Sequence, residues 1–514
     1  MTPVHIVGAG PGDPSLISVR GLRYLTQADV VVHDTLIDAR LLDLAPPEAE
    51  RIDVGDAAPS GTDQDAICLL LAEKARDGQR VVRLKWGDPF VFDSGGREAL
   101  FLHEQGIPFE VVPGVPGLVG IPTYAGIPVS YPGSGDTLTF IRGYEDGTEG
   151  TPELDWSQLA RVDGTVVCYA GPRQIMRVLT SLIDHGRPAD DYAAVVLNGT
   201  TPLQETLQDT LGGLRARLEQ EPLHQPAVLA VGPTVGFRDH LRWFDERPLF
   251  GQRIIVTRSR EQAGEFVDRL ADLGARPILA PSIRITRLAE FDELDEVLDR
   301  VGSFDWIVFT SANGVDHFME RFLSQARDIR DLKGPKLCAV GPATAERLAR
   351  FYLHVDAMPS ENRSEAVAEA MLAEGDLAGT RILLPRADIA RETLPDDLRH
   401  AGAIVEDVAA YRTVRESFGR EGEPDIYKML LEGEVDIVTF TSASTVRHFV
   451  TNLGEDQAAD LLARVDVASI GPVTAEAAQQ LGITTTIMPE HTYSIPALVD
   501  AIVAHVTRRG PVSS

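Results

Sequence analysis

Two groups of residues in this chain are of types and spacings that could do chemistry. The first is the loop Gly8-Ala9-Gly10-Pro11-Gly12-Asp13-Pro14, which follows the apolar run VHIV and precedes the helical segment SLISVRGLRYLTQ. Glycines between a strand end and a helix start let backbone amides approach a ligand, and they serve a tight turn that binds nothing equally well. The dinucleotide fingerprint needs G-x-G-x-x-G, but Asp13 stands at its last glycine and Pro11 interrupts it. Asp34 ends the next strand, where a nicotinamide enzyme places its ribose-binding acid. Without the third glycine or a paired catalytic His, a dinucleotide oxidoreductase ranks last. The second group is a doubled set, TSANG (310–314) with TSAST (441–445) and GPATAE (341–346) with GPVTAE (471–476). Each ends an apolar run and opens a helical one. Ser and Thr at helix starts satisfy free amides, and four such N-termini at strand C-terminal ends are also four anion sites.

The elements that must position these groups are short apolar runs alternating with amphipathic segments such as AICLLLAEKARDG. VHIVGAG, DVVVHD, VVRLK, TVVCYAG, AAVVLNG and AVLAVG come before residue 245; RIIVTRS, WIVFTS, KLCAVG, RILLPR and VDIVTFTS follow. Such runs predict buried parallel strands with crossover helices, an α/β protein. A boundary falls near DERPLFGQR (245–253), and a weaker one at GIPVSYPGSGD (126–136) would divide the first half into two lobes. The second half repeats itself. VFTSANGV and TFTSASTV are offset by 131 residues, AVGPATAE and SIGPVTAE by 130, and two further landmarks by 128. Two copies of one α/β unit imply a cleft between them, with ligands at the strand C-terminal ends.

Composition removes whole classes of function. Of 514 residues, 77 are acidic and 48 basic, a net charge of −29. That surface opposes nucleic acid and anionic membranes, both of which require a basic footprint. Cys68, Cys168 and Cys338 are far apart and odd in number, which excludes a disulfide framework and a cysteine metal site and points to a reducing cytoplasm. The start MTPVHIVGAG does not read as a signal peptide, and no apolar run reaches membrane-spanning length.

GAGPGDP, ADVVVHD, VVRLKWGDPFVF, GIPFEVVPG, YAGIPVS, VVCYAGPRQ, VVLNGTTPLQ, AVGPTV and RWF occur in that order through residues 3–246. The series resembles the tetrapyrrole methylase family, and within it the uroporphyrinogen-III C-methyltransferases. The resemblance implies two α/β lobes with S-adenosylmethionine between them, a homodimer formed through this half, and methylation of uroporphyrinogen III towards precorrin-2. Carried over residue by residue, it implies cofactor contacts from Gly10, Pro11, Gly12, Trp86, Gly87, Asp88, Val91, Pro116, Gly117, Ala170 and Gly199. Asp34 falls where the family keeps its proton acceptor. The departures from the family pattern are Thr35, Asp56, Ala57, Ser94 and Pro132, where basic residues are expected, and Trp86 in place of a glycine. A polycarboxylate needs charge-assisted donors, so their loss predicts weak or absent methyl transfer.

RIIVTRS, PILAPSIRI, WIVFTSANGV, VGPATAERL, LLPRADIARETLPDDL, EDVAAYRTV, DIVTFTSASTVRHF and SIGPVTAEA resemble uroporphyrinogen-III synthase over residues 251–505. The resemblance implies two Rossmann-like lobes, 251–283 plus 412–505 and 284–411, joined by a two-stranded connector. The implied reaction closes hydroxymethylbilane to uroporphyrinogen III with loss of water and inversion of one ring. Because the departing hydroxide leaves a resonance-stabilised cation, the protein's task is mainly orientation of a flexible chain. By position in the motifs, Tyr411 is expected to donate the proton to the leaving hydroxyl, or else to pack beside the connector. Thr310, Ser311, Asn313, Thr344, Arg386, Thr441, Ser442, Ser444 and Thr474 are expected to bind carboxylate arms. The alternative for Arg386 is a surface pair with Asp388 or Glu392.

Three readings follow for the whole: a bifunctional enzyme of tetrapyrrole biosynthesis, a synthase carrying a degenerate methylase domain, or a non-enzymatic tetrapyrrole-binding protein. The first is the simplest account of a synthase sharing a chain with a fold that methylates its product. No metal is expected in any of them, nor a cofactor for the synthase half.

Overall fold

The computed structural model describes residues 2–55, 62–143, 154–359, 364–388, 393–416, 418 and 424–510. The chain forms two compact units, Met1–Arg253 with Asp268–Pro277 and Val503–Ser514, and Ile254–Val267 with Ile278–Ile502. Each is described by itself.

The first unit carries two sheets. Strands β1 (Val4–Gly8), β2 (Val30–His33), β3 (Glu50–Asp53), β4 (Val81–Lys85) and β5 (Phe109–Val112) form an all-parallel sheet of order β3-β2-β4-β1-β5. Every residue of β4, the central strand, is buried, including Arg83 and Lys85. Strands β6 (Leu138–Arg142), β7 (Thr165–Ala170), β8 (Tyr192–Leu197), β9 (Glu205–Thr210) and β10 (Ala227–Val231) form the second sheet, of order β6-β7-β10-β8-β9. Helix Pro172–Asp184 shows why this sheet is covered. It buries Ile175, Val178, Leu179 and Leu182, one stripe at helical spacing, into a core shared with Cys168, Val195 and Leu229.

Here the expectation of parallel strands throughout is corrected. β10 runs antiparallel to both β7 and β8, and β9 runs antiparallel to β8; only β6 and β7 are parallel. The apolar runs misled because a strand covered on both faces is apolar whichever way it runs.

The strands after β10 are β11 (Arg253–Val256), β12 (Arg276–Leu279), β13 (Ile283–Thr286), β14 (Trp306–Phe309), β15 (Lys336–Ala339), β16 (Arg381–Ala387), β17 (Ile404–Arg415), β18 (Ile437–Phe440) and β19 (Asp466–Ser469), most of them in the second unit. One sheet has the order β12-β11-β18-β19, the other β13-β17-β16-β14-β15. The twelve-residue β17 serves two partners: Ile404 to Tyr411 lie parallel to β16, and Arg412 to Arg415 pair antiparallel with β13. The repeated motifs stand at equivalent places. Ser311 caps helix Ala312–Ser324 by accepting from the Gly314 amide at 3.0 Å, and Ser442 caps Ala443–Leu453 by accepting from Thr445 at 3.2 Å. Helices Pro342–Ala349 and Pro472–Gln480 each start on Pro after an extended Gly, where a missing amide costs nothing.

Candidate active sites

In the first unit a cleft opens beyond the C-terminal ends of the parallel strands. Asp34, Trp86, Gly87, Asp88, Val91, Pro116 and Gly117 line it, together with Leu36, Phe92, Asp93, Leu118, Ile141, Gly143 and Tyr169. Asp34 and six of the eleven expected cofactor contacts are thus brought to one place. Gly10, Pro11, Gly12, Ala170 and Gly199 are not among the lining residues; most of them are used to hold loops together. Gly10 and Gly87 exchange both backbone hydrogen bonds, at 3.2 and 2.9 Å, which clasps the glycine loop to the loop after β4. Gly12 lies so close to Thr200 that a Cβ would sit 2.7 Å from its Oγ1, and Gly199 so close to Ile121 that a Cβ would come within 2.4 Å of its Cγ2. Ala170 is buried at the end of β7.

Asp34 follows β2 directly and is held by two donors. Arg83 Nη2 donates to its Oδ1 at 2.5 Å, and the Trp86 amide donates to its Oδ2 at 2.9 Å. Arg83 and Lys85 alternate along β4 and so share a face. Glu98, on helix Gly95–Glu104, meets both, at 3.2 Å from Arg83 Nε and 3.5 Å from Lys85 Nζ. Lys85 also bonds Asp93 at 2.8 Å and Ser94 Oγ at 2.9 Å, while Gln64 donates to Glu98 at 3.1 Å. Burial alone would push the Glu98 carboxyl up, but the charges of Arg83 and Lys85 outweigh it and hold it below its usual range. Burial does win at Asp93, whose carboxyl is raised despite Lys85. In the sequence VVRLK reads as a buried strand and as part of the methylase motif VVRLKWGDPFVF, with no pairing assigned to its two charges. The available signal was the Arg and Lys themselves, which a buried strand tolerates only when paired.

The basic residues that the family pattern expects are absent from this cleft among the described residues. Thr35 donates instead to Asp53 at 2.7 Å, and Ser94 accepts from Lys85. Asp56 and Ala57 lie outside the described residues. Trp86 replaces backbone with an indole: its Cη2 is where a Gly117 Cβ would come within 2.5 Å, and its ring stacks on Tyr169 at 5.1 Å.

In the second unit the expected carboxylate-binding residues stand at the C-terminal ends of their strands. Thr310, Ser311 and Asn313 follow β14, Thr344 follows β15, and Arg386 lies in β16. Thr441, Ser442 and Ser444 follow β18, and Thr474 follows β19. Tyr411 joins the first group. Its hydroxyl lies 3.2 Å from Ser311 Oγ, and its ring stacks on His317 at 5.5 Å. Burial raises the Tyr411 pKa above its ordinary value, so the hydroxyl keeps its proton at neutral pH. Arg386 lies in the same sheet. It is buried, and its guanidinium forks onto Asp407 of the adjacent strand β17, not onto Asp388 at the surface. Asp388 instead accepts from the Thr413 amide at 3.0 Å. Glu392 lies outside the described residues.

One residue of this unit was missed. Arg258, two residues beyond β11, donates to Gln262 at 3.1 Å, and its buried Nε has no acceptor. Among the described residues it forms no ion pair, and desolvation holds its pKa below the ordinary value. Beside it the buried Ser259 Oγ also lacks a partner. Glu265 acts on Arg258 only through space, and no spacing along the chain marks the residue as unpaired.

The family model of tetrapyrrole (corrin/porphyrin) methylases matches residues 3–215, and that of uroporphyrinogen-III synthase HemD matches residues 264–500. The porphyrin biosynthesis protein HemD of Ruminiclostridium josui is 34% identical over 503 residues, covering 97% of each chain. The chain belongs to this family of methylase–synthase fusions. It is a bifunctional enzyme of tetrapyrrole biosynthesis, with a methylase half followed by a synthase half. The uroporphyrinogen-III C-methyltransferase of Bacillus subtilis (strain 168) is 35% identical over 361 residues, 70% of this chain and 74% of its own. The siroheme synthase of Azotobacter vinelandii is 42% identical over 245 residues, about half of either chain. Among solved structures, uroporphyrin-III C-methyl transferase from Thermus thermophilus complexed with S-adenyl homocysteine is 34% identical, covers 45% of this chain and 93% of that one, and has a TM-score of 0.38. No helix among the described residues of the fusion is long and apolar enough to cross a membrane.

Proposed function

We propose that the synthase half cyclises hydroxymethylbilane to uroporphyrinogen III, with Tyr411 as proton donor to the leaving hydroxyl. The observation that carries this is the contact between Tyr411 and Ser311, which sets a protonated, largely desolvated hydroxyl beside a helix N-terminus. Such a terminus attracts a carboxylate arm, and the tyrosine then lies within reach of the group that departs. Thr310, Asn313 and Thr344 extend the same edge, and Thr441, Ser442, Ser444 and Thr474 offer the equivalent places in the other sheet. Arg386 acts through Asp407, as a strut that holds β16 to β17. The test is incubation of the purified chain with hydroxymethylbilane and chromatography of the isomers. Type III product supports the reading, and type I alone rejects it.

For the methylase half we propose S-adenosylmethionine as cofactor, held by Trp86, Gly87, Asp88, Val91, Pro116 and Gly117. The residues fit such a group. Gly87, at φ +69°, offers backbone to the cleft, and the side chains of Asp34, Asp88 and Asp93 suit a positive ligand. When bound, it supplies an electrophilic methyl group. The chain's own part is to hold Asp34 as proton acceptor between Arg83 and the Trp86 amide, and to exclude water with apolar walls. The same acidity opposes a polycarboxylate substrate, so methylation of uroporphyrinogen III towards precorrin-2 is weak in this reading. Calorimetry with S-adenosylmethionine tests it: binding with slow turnover is expected. A cytoplasmic homodimer formed through the methylase half completes the proposal, and light scattering that gives the monomer mass of 55.8 kDa would count against it.

A further inference from the structure

The two repeats of the synthase half carry an arginine at the same place, and only one of the two is paired. VTRSR (256–260) and LPRAD (384–388) are offset by 128 residues, which makes Arg258 the counterpart of Arg386. LGARPILA (273–280) and AGAIVEDV (401–408) share that offset, which makes Leu279 the counterpart of Asp407. The fold keeps the correspondence. β12 lies beside β11 as β17 lies beside β16, and the Ala280 amide donates to the Val256 carbonyl at 3.0 Å. Arg386 sets Nε and Nη2 on the two oxygens of Asp407. The first repeat has leucine in place of that carboxylate, and Arg258 Nε is buried without an acceptor. Arg258 Nη2 donates only to the neutral Gln262, at 3.1 Å.

A second group there is also unanswered. Ser259 immediately precedes the 13-residue helix Arg260–Asp272, the position from which Ser311 and Ser442 cap their helices. Its side chain is 1% exposed, yet its Oγ bonds neither an amide nor any other group. Buried donors are nearly always satisfied, and two orphans at one helix start mark a place for an anion that brings oxygens. Thr441 and Ser442 follow β18, the strand that borders β11 on its other side.

We infer that Arg258, Ser259 and the start of helix Arg260–Asp272 form a carboxylate site that the chain leaves open for a substrate arm, whereas the counterpart at Arg386 is filled by the chain's own Asp407. This rests on the reading of this half as a synthase acting on a polycarboxylate. Nε and Nη2 make the fork that a carboxylate matches, and Arg386 shows the same fork in use. Folding has already stripped water from Nε, so an arriving arm meets a donor that need not be desolvated again. Leu279 is what keeps the site open. Because the arginine of one sheet is free and its counterpart in the other is spent, a flexible polycarboxylate is anchored on one side and not evenly on both.

The experiment supplies the missing carboxylate from within, as Leu279→Asp in the full chain. Synthase kinetics on hydroxymethylbilane and calorimetry with uroporphyrin III, the stable oxidised form of the product, read the effect. Leu279→Asp is expected to raise KM and the uroporphyrin III dissociation constant about tenfold to a hundredfold, with kcat little changed. Leu279→Asn should raise them far less, since a neutral acceptor competes about half as strongly for the guanidinium. Arg258→Ala should lose the same affinity, and adding Leu279→Asp to it should cost little more, because the two changes act on one contact. Losses that add in full would overturn the inference, as would equal losses from Asp and Asn at position 279. If Leu279→Asp does not fold, Arg258→Ala and Ser259→Ala decide, and unchanged uroporphyrin III affinity in both would overturn it. Affinity that depends on Arg258 in a chain forming only the type I isomer would overturn the synthase reading and leave the carboxylate site standing. Absence of both binding and type III product would overturn the two together.

Discussion

Arg83 and Asp34 form a salt bridge at 2.5 Å whose two side chains are 0% and 8% exposed, in the strand and loop that floor the methylase cleft. A pair so removed from water persists only because further charges complete it, and Glu98 is the group that does so. Burial pushes Glu98 up, but Arg83 and Lys85 bring it net below its ordinary value. Its stabilising contribution is therefore present above the unfolded pKa of about 4.3 and is lost as pH falls through the lower folded value. Glu98→Gln is expected to destabilise the methylase half by about 3 to 5 kcal/mol at pH 7. Urea unfolding should show the gap between the variant and the unmodified chain narrowing steadily as pH falls below about 4.3. A gap that stays constant down to pH 3 would mean that Glu98 contributes by shape and not by charge.

Tyr411→Phe keeps the ring against His317 and removes only the hydroxyl that meets Ser311. Synthase turnover should fall roughly tenfold to a hundredfold, the lower part of what general acids contribute, because the leaving group departs readily. Thermal unfolding should be little changed. Since burial raises this pKa above its ordinary value of 10, the pH–rate profile should show no downward break from tyrosine below pH 10. Unchanged turnover would leave Tyr411 a packing residue.

Arg258 lacks an ion-pair partner among the described residues and stands next to the start of helix Arg260–Asp272. A substrate carboxylate would supply the missing charge. Arg258→Ala should raise the synthase KM about tenfold to a hundredfold, the range for a hydrogen bond to a charged group, with a smaller effect on kcat. An unaltered KM would exclude Arg258 from substrate binding.

The three thiols are all buried, and burial raises each pKa, to about 12 for Cys168 and Cys338. A raised thiol stays protonated as pH rises through 8 and reacts slowly. Iodoacetamide at pH 8 should leave the folded chain unlabelled and label all three cysteines in denaturant. Rapid labelling of the native protein would show that one of these cores opens.

Restoring positive charge at Thr35 and Asp56 together, as Thr35→Arg with Asp56→Lys, should raise methyl transfer to uroporphyrinogen III more than either change alone. Thr35 is exposed and donates to Asp53, so replacing it removes no core contact. Robust dimethylation by the unmodified chain would show that the missing charges are supplied from other positions.

The sequence by itself determined the α/β class, the doubled architecture of the synthase half and the family of each half. Those properties rest on local pattern, since apolar periodicity, glycine turns and Ser or Thr caps are written in contiguous residues. Strand direction was not determined in this way, because an apolar run buried on both faces reads the same in either sense. β10 is such a run, and it lies antiparallel to both of its neighbours.

Only the tertiary structure decided which groups meet. Ser311 and Tyr411 are 100 residues apart, and they touch because β14 and β17 flank β16 in one sheet. Arg386 chose Asp407 over Asp388 because the parallel register sets Arg386 beside Ala409, within reach of the carboxylate two residues back on the same face of β17. Asp34, Arg83 and Glu98 come from a strand end, a central strand and a helix, and no spacing along the chain announces them. Charge pairing in a low-dielectric interior depends on distances of a few ångströms, and those are set by the packing of sheets and helices, not by order in the sequence.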